Sequence, residues 1–117
     1  MTHPERDLAP YLPLSPKDFH LLFALGEGPC HGYAIVRRVE ADTNGLIRLE
    51  PANLYRRIHG FVEQGIIEPT ERPPDDEDTR RRYYGLTDLG EHILNAEAAR
   101  LGALAAEVAR RGLAASG

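Results

Sequence analysis

Apolar residues recur at helical spacing in four segments of the chain, and polar or turn-forming residues separate these segments. Residues 15–18 (SPKD) resemble a capping box with proline at the first helical position, so a largely buried helix is predicted to begin there. Two glycines and a proline within 26–29 end it. A second amphipathic helix is predicted from about His31 to Asp42, followed by a turn and a short β-prone stretch, Leu46 to Leu49.

The third helix is predicted to begin at Glu50-Pro51 and to end at Gln64-Gly65, where glycine suits the left-handed position after a helix. Its apolar residues fall at i, i+4, i+7 and i+8, on one face: Leu54, Ile58, Phe61 and Val62. That face is therefore predicted to pack into the core, and the opposite, polar face is predicted to be exposed.

The next segment has the pattern of a β-hairpin. One strand is predicted over Ile66 to Arg72 and the return strand over Arg80 to Leu86. Pro69 and Pro73 indicate an edge strand, because proline cannot donate a hydrogen bond to a neighbouring strand. The tip between the strands contains an acidic run, Asp75 to Asp78, which is expected to be a flexible loop.

Thr87-Asp88 is predicted to cap a last helix, which runs from about Leu89 to Arg111 and would be ~34 Å long. An apolar stripe with heptad-like spacing follows one side of it: Leu94, Leu101, Leu104 and Val108. The preceding elements form a domain too small to cover a helix of this length, so the bare stripe is predicted to form a homodimer. The alternative is that the stripe folds back on the first helix and on the N-terminal arm around Tyr11.

Together these elements predict a mainly α fold with a small β-wing, namely a winged helix-turn-helix followed by a long C-terminal dimerisation helix. The corresponding organisation is an N-terminal arm over 1–14, a DNA-binding domain over 15–87, the dimerisation helix over 88–112 and a tail over 113–117.

The exposed face of the third helix carries side chains suited to reading DNA. Near its N-terminus lie Asn53, Tyr55, Arg56 and Arg57. In the major groove, asparagine can pair bidentately with adenine and arginine with guanine. The alternative is that these are ordinary solvated residues of an amphipathic helix.

Three consecutive arginines, Arg80, Arg81 and Arg82, open the predicted return strand, where alternation would send Arg80 and Arg82 to the same face. Arginines at the base of a wing hold phosphates or enter a minor groove. The acidic tip would be repelled by phosphate, so the base of the wing is predicted to make the contact. The alternative is a solubilising edge strand protected by charge.

The net charge of −4 at pH 7 argues against nucleic acid, whereas the distribution of charge argues for it, because nine of the 14 basic residues are arginines between positions 37 and 82. No apolar run is long enough to span a membrane, the N-terminus lacks a secretory signal, and a single cysteine excludes a disulfide framework. These features favour the cytoplasm. The acidic balance favours the alternative function, a winged-helix protein-interaction module that does not bind DNA.

No pattern typical of an enzyme, a cofactor site or a metal site is found in the sequence. The glycines at 26–32 follow a predicted helix rather than a strand, so they do not form a nucleotide loop. Cys30-His31 and His20 are fewer ligands, at poorer spacing, than zinc needs, and Cys30 is expected to be a small buried residue. An enzyme is not expected.

Four stretches resemble the PadR family of transcriptional regulators, in its short form with a single C-terminal helix. They are 28–33 (GPCHGY), 49–55 (LEPANLY), 63–67 (EQGII) and 81–90 (RRYYGLTDLG), in the family's order and spacing. Two departures lie in the third helix: Ala52-Asn53 stands where the family usually has Gly-Thr, and Arg56 stands where it usually has proline. The fold should survive both, and base preference need not match that of any relative.

The resemblance implies a DNA-binding regulator, in most members a repressor. The homodimer predicted from the last helix would place two recognition helices about one DNA turn, ~34 Å, apart and so read a palindromic operator in double-stranded DNA. The resemblance also implies release by a small apolar or phenolic effector. The DNA contacts that it implies are Asn53, Tyr55 and Arg56 in the third helix and Arg81 and Arg82 in the wing. Tyr33 and Tyr83 are expected to be structural, with their hydroxyls bonded in the core.

Overall fold

A computed structural model describes residues 7–114, in which a 3-10 helix (Ala9–Tyr11) precedes four α-helices and three short strands. The helices are α1 (Pro16–Leu25), α2 (Gly32–Asp42), α3 (Pro51–Glu63) and α4 (Asp88–Arg110). The strands are β1 (Cys30–His31), β2 (Ile67–Thr70) and β3 (Tyr83–Leu86). The predicted fold class is confirmed: the chain is mainly helical, with a small antiparallel sheet and a long C-terminal helix.

None of the described helices is both long enough and apolar enough to cross a membrane.

Three of the four described α-helices, α1, α2 and α4, begin where a side chain satisfies one of their first backbone N–H groups. The Ser15 hydroxyl accepts a hydrogen bond from the Asp18 N–H (3.1 Å), and the Thr87 hydroxyl accepts one from the Gly90 N–H (3.0 Å). His31 does the same for α2, because its Nδ1 accepts from the Ala34 N–H at 3.2 Å. The predicted starts of α1 and α4 are thus confirmed, and the His31 cap adds a role that the sequence did not indicate.

One hydrophobic core joins the helices to the sheet. The apolar face predicted for α3 is buried at Leu54, Ile58 and Phe61, and Val62 lies at its edge. Leu21 and Leu22 of α1 and Ile35 and Val39 of α2 are completely buried against it. The core therefore fixes the orientation of α3, so that its polar face is turned outward.

The short strand β1 lies at Cys30–His31, and the prediction of a strand over Leu46 to Leu49 was wrong. In the sheet order β1-β3-β2, the central strand β3 already has antiparallel partners on both sides. The 46–49 segment bonds locally instead, since the Thr43 hydroxyl accepts from the Ile47 N–H (3.0 Å) and donates to the Val39 carbonyl in the last turn of α2 (2.9 Å). The edge position predicted for the proline-containing strand β2 is confirmed.

The three wing arginines precede β3, so the prediction that they form part of the return strand was wrong. Asp78 closes a turn in front of the strand: its carboxylate accepts from the Arg80 N–H at 3.0 Å, and its carbonyl accepts from the Arg81 N–H at 3.1 Å. These local bonds use the backbone groups that a longer hairpin would have paired. The β-ladder therefore begins only at Tyr83, opposite Thr70.

The described part of the predicted N-terminal arm is not a free extended segment, because it packs on the domain. The Ala9–Tyr11 turn lets Leu8, Tyr11, Leu12 and Leu14 pack against the core, where apolar burial outweighs an extended path. The first part of the predicted arm (residues 1–6) and the last part of the predicted tail (115–117) lie outside the described residues.

The first half of α4 is docked on the winged domain, and the second half is not. Ile93 is fully buried and Leu94 packs against the core. Glu97, only 1% exposed, accepts from the Leu14 N–H (3.0 Å) and from the Arg100 guanidinium (2.8 and 2.9 Å). The hydrogen bonds from Arg100 lower the pKa of Glu97, so this carboxylate is buried in its charged form. The alternative considered for the apolar stripe, namely that it folds back on its own domain, therefore holds for Leu94.

Candidate nucleic-acid interface

The outward face of α3 is centred on Arg56, which is exposed near the N-terminal end of the helix. Its guanidinium donates a hydrogen bond to the Asn53 side-chain oxygen at 2.8 Å. The core face of the helix (Leu54, Ile58) points the other way, so neither residue is used to hold the fold together. The pair forms a polar edge from which both side chains can reach a ligand laid along α3.

Arg57 is held differently. Its guanidinium pairs with the Asp18 carboxylate of α1, and about 30% of each side chain is exposed (31% and 28%). This half-buried ion pair ties the start of α1 to α3. Arg57 thus lies beside the outward face of α3, with its charge already balanced by a neighbour.

The Tyr55 side chain packs against Gly32, the first residue of α2. A Cβ atom added at Gly32 would lie 2.6 Å from the Tyr55 hydroxyl, which no real side chain tolerates without movement. Gly32 therefore allows α3 and α2 to approach, and Tyr55 remains 43% exposed on top of the contact. The pairing of these two residues, which lie in separate sequence motifs, was not predicted.

A cleft of about 550 Å³ joins α3 to the wing. Its α3 wall contains Tyr55 and His59, and its opposite wall contains Arg80, Arg81 and Arg82, with the start of α2 at its end. Asn53, Arg56 and Arg57 line a second depression, of about 390 Å³, on the other side of α3. The structure thus brings Tyr55 and the wing arginines together, while Asn53 and Arg56 lie across the ridge of the helix from them.

The three wing arginines are not equivalent. Arg80 Nε lies 3.1 Å from an Asp78 oxygen, and Arg81 lies 3.3 Å from Asp76 and 3.7 Å from Asp78. Arg82, which is exposed, has no hydrogen bond or ion pair to any residue within 7–114. Arg82 therefore presents an uncompensated positive charge beside the cleft.

The acidic tip is an organised turn, and the expectation of a flexible loop was wrong. Asp76 accepts hydrogen bonds from the Tyr83 hydroxyl (2.5 Å) and from the Asp78 N–H (2.9 Å), and Arg72 donates to its carbonyl. The Tyr83 hydrogen bond, the Asp78 N–H and Arg81 lower the pKa of the Asp76 carboxyl to about 2. Fixed partners thus hold this carboxylate in its charged form at neutral pH.

Two tyrosines differ from expectation. Tyr33 is 63% exposed, with its ring stacked on His31 and the Arg37 guanidinium 5.6 Å from its centre, because its position on α2 faces away from the core. The Tyr83 hydroxyl is bonded as expected, but to Asp76 in the wing rather than within the core. The expectation that both hydroxyls bond in the core was therefore wrong.

Burial and the charge of Arg81 both lower the pKa of His31, which lies at the end of the cleft. Its ring is then neutral at pH 7, as its role as acceptor for the Ala34 N–H requires.

The Cys30 side chain is buried, as expected, and burial raises the pKa of its thiol. Across residues 7–114, no group of three or more histidine, cysteine, aspartate or glutamate side chains is placed to hold a metal ion.

The distal half of α4 carries the remainder of the predicted apolar stripe. Leu101, Leu104 and Val108 line a shallow apolar groove of about 420 Å³ with neighbouring alanines and Leu113. Leu104 is 51% exposed and Leu113 58% exposed, although both are fully apolar. Within the part of the chain that the structure describes, no other element packs over this groove.

Comparison with known proteins gives a consistent set of similarities. The model of the transcriptional regulator PadR-like family matches residues 21–96. A transcriptional regulator from Clostridium thermocellum has a similar structure (TM-score 0.63) at 26% identity, over 80% of this chain and 86% of that one. Bacillus subtilis PadR, solved in complex with operator DNA, shares the fold (TM-score 0.59, 18% identity) over 70% of this chain and 46% of that one.

A protein of 37.1 kDa in transposon TN4556 of Streptomyces fradiae is 33% identical over 88 residues, or 75% of this chain. The chain spans about a quarter of the length of that relative (24%).

Proposed function

Because the chain belongs to the PadR-like family of transcriptional regulators, we propose that it binds double-stranded operator DNA through α3 and the wing arginines Arg80, Arg81 and Arg82. The observation that carries the proposal is the cleft between them, where Tyr55 and His59 of α3 face the arginines of the wing. A helix in the major groove needs exposed polar side chains beside a second positive element that holds the backbone. The operator complex of Bacillus subtilis PadR supports the same use of this fold.

In this proposal α3 reads base edges and the wing holds phosphates. Asn53 and Arg56 lie exposed or partly exposed on the first turns of α3, where a recognition helix contacts bases. Arg82, whose charge no described carboxylate balances, would bind a phosphate, and Arg80 and Arg81 precede it in the same loop. Arg57 has a smaller share of the contact, because the Asp18 carboxylate already balances its charge.

The distal half of α4 is proposed to join two copies of the chain. Leu101, Leu104 and Val108 form an apolar surface on a helix that extends away from its own domain, as a dimer contact requires. Leu94 is left out of this surface, since it packs against the chain's own core. The corresponding organisation is a DNA-binding unit over 15–87 and a dimerisation helix over 88–112.

A dimer with two recognition helices about one DNA turn apart would read a palindrome. From the family resemblance we also expect repression in the cytoplasm, released by a small apolar or phenolic effector.

The first experiment is an electrophoretic mobility shift on the DNA upstream of the protein's own coding sequence. We expect a shift at about 50 mM salt and a loss of roughly tenfold to a thousandfold in affinity by about 200 mM, because each neutralised phosphate releases condensed counterions. Absence of any shift at low salt would favour the second candidate, a winged-helix protein-interaction module. The net charge of −4 is the observation that favours that candidate.

A further inference from the structure

The wing loop carries as many carboxylates as arginines. Residues 72–82 contain four of each, so the loop's charges cancel although it holds the three consecutive arginines of the proposed DNA contact. A loop that only needed to attract phosphates would not be neutral. The arrangement of these charges therefore calls for an explanation beyond simple attraction to DNA.

Asp78 pairs directly with Arg80, the first of the three arginines of the proposed DNA contact. Its two oxygens lie 3.1 Å from Arg80 Nε and 3.3 Å from Arg80 Nη2, so it takes the guanidinium edge side-on. That edge is the one with which arginine binds a phosphate bidentately. One Asp78 oxygen also lies 3.7 Å from Arg81 Nε.

Asp76 holds the second arginine from a fixed position. The Asp76 side chain is only 9% exposed, and the Tyr83 hydroxyl and the Asp78 N–H fix its orientation. Its oxygens lie 3.3 and 3.4 Å from Arg81 Nη1. The carboxylates are therefore built into the turn and are not mobile counterions that happen to be nearby.

We propose that Asp78, assisted by Asp76, occupies on Arg80 and Arg81 the N–H groups that a DNA phosphate would take. Binding of DNA then exchanges a carboxylate for a phosphate at these two arginines, whereas Arg82 meets its phosphate without any exchange. The inference rests on the proposed function and deepens it. The acidic tip would thus lower the affinity of the protein for duplex DNA and make that affinity less dependent on salt concentration.

The test compares Asp78→Asn with Glu77→Gln. Both remove one negative charge from the same turn, but Glu77 makes no hydrogen bond or ion pair with any residue between 7 and 114. The asparagine oxygen can still accept from the Arg80 N–H, so the turn is expected to persist. With upstream duplex DNA at about 100 mM salt, we expect Asp78→Asn to bind about tenfold more tightly and its salt dependence to steepen by about one phosphate contact per subunit. Glu77→Gln should change the affinity for DNA by less than about twofold, because salt screens the interaction of an exposed, unpaired carboxylate with the duplex.

A double-mutant cycle keeps the test decisive even if Asp78→Asn alters the turn. Arg80→Ala should weaken binding in both backgrounds, but about tenfold more in the Asp78→Asn background, where the phosphate contact of Arg80 displaces no carboxylate. Equal tightening by Asp78→Asn and Glu77→Gln, weaker binding by Asp78→Asn, or equal Arg80→Ala costs in the two backgrounds would each overturn the exchange. If the natural protein and all variants bind no duplex at low salt, the proposed function itself fails.

Discussion

Replacing Arg82 with alanine is expected to weaken the binding of duplex DNA by about tenfold per subunit, or about a hundredfold for a dimer, at about 100 mM salt. Arg82 is the wing arginine whose charge no described carboxylate balances, and it lines the cleft opposite α3. A lost phosphate contact lowers affinity for all sequences alike and reduces the salt slope by about one per contact. Fluorescence anisotropy over a series of salt concentrations measures both quantities.

The matched control is Arg110→Ala, which removes the same charge far from the cleft, where Arg110 pairs with Glu107 on the distal part of α4. That variant should bind DNA within about twofold of the natural protein, since a distant exposed charge is screened. If both variants weaken binding equally, only the total charge of the protein matters and Arg82 has no particular contact with the backbone.

The double substitution Leu101→Glu and Leu104→Glu is expected to convert the protein to a monomer and to weaken operator binding far more than any single change in α3. Four glutamates would face one another across the proposed contact, and their burial without partners is strongly unfavourable. Loss of the dimer removes the second recognition helix, and with it the gain from engaging both half-sites of a palindrome at once. Light scattering reports the mass and anisotropy the affinity.

The control for this variant is Ala99→Glu with Ala103→Glu, which adds the same charge on the opposite, exposed face of α4. It should remain a dimer and bind DNA normally. A dimer that survives the leucine substitutions would place the contact between copies elsewhere on the chain. In both proteins, helix content by circular dichroism should be unchanged, because the substitutions lie on the half of α4 that does not pack on its own domain.

The helices could be predicted from the sequence because their signals are local. The Ser15 and Thr87 caps and the face formed by Leu54, Ile58 and Phe61 depend on residues within one or two turns. The position of β1 could not be predicted in this way, because β-propensity at 46–49 says nothing about which edge of β3 is open. The Ile47 N–H donates to the Thr43 hydroxyl and is therefore not free to pair with a strand.

Only part of the geometry of the candidate site could be predicted from the sequence. The exposure of Arg56 follows from helical periodicity. The pairing of Asp78 with Arg80 does not, because it depends on a turn that forms only when the carboxylate accepts the Arg80 N–H. The burial of Glu97 was also missed: Arg100, three residues away, balances its charge, but the Leu14 N–H that also donates to it lies 83 residues away in the sequence.

The central claim is that the outward face of α3 and the wing arginines contact the duplex together. Amide chemical shifts of the 13.0 kDa chain, recorded by NMR with and without a short duplex from upstream of its coding sequence, test it most directly. The account predicts that the changes concentrate at 52–59 and at 80–82, and that α1 around Phe23 and the distal part of α4 remain unchanged. Changes confined to α1 or α4, with α3 and the wing unaffected at a saturating concentration of DNA, would contradict it.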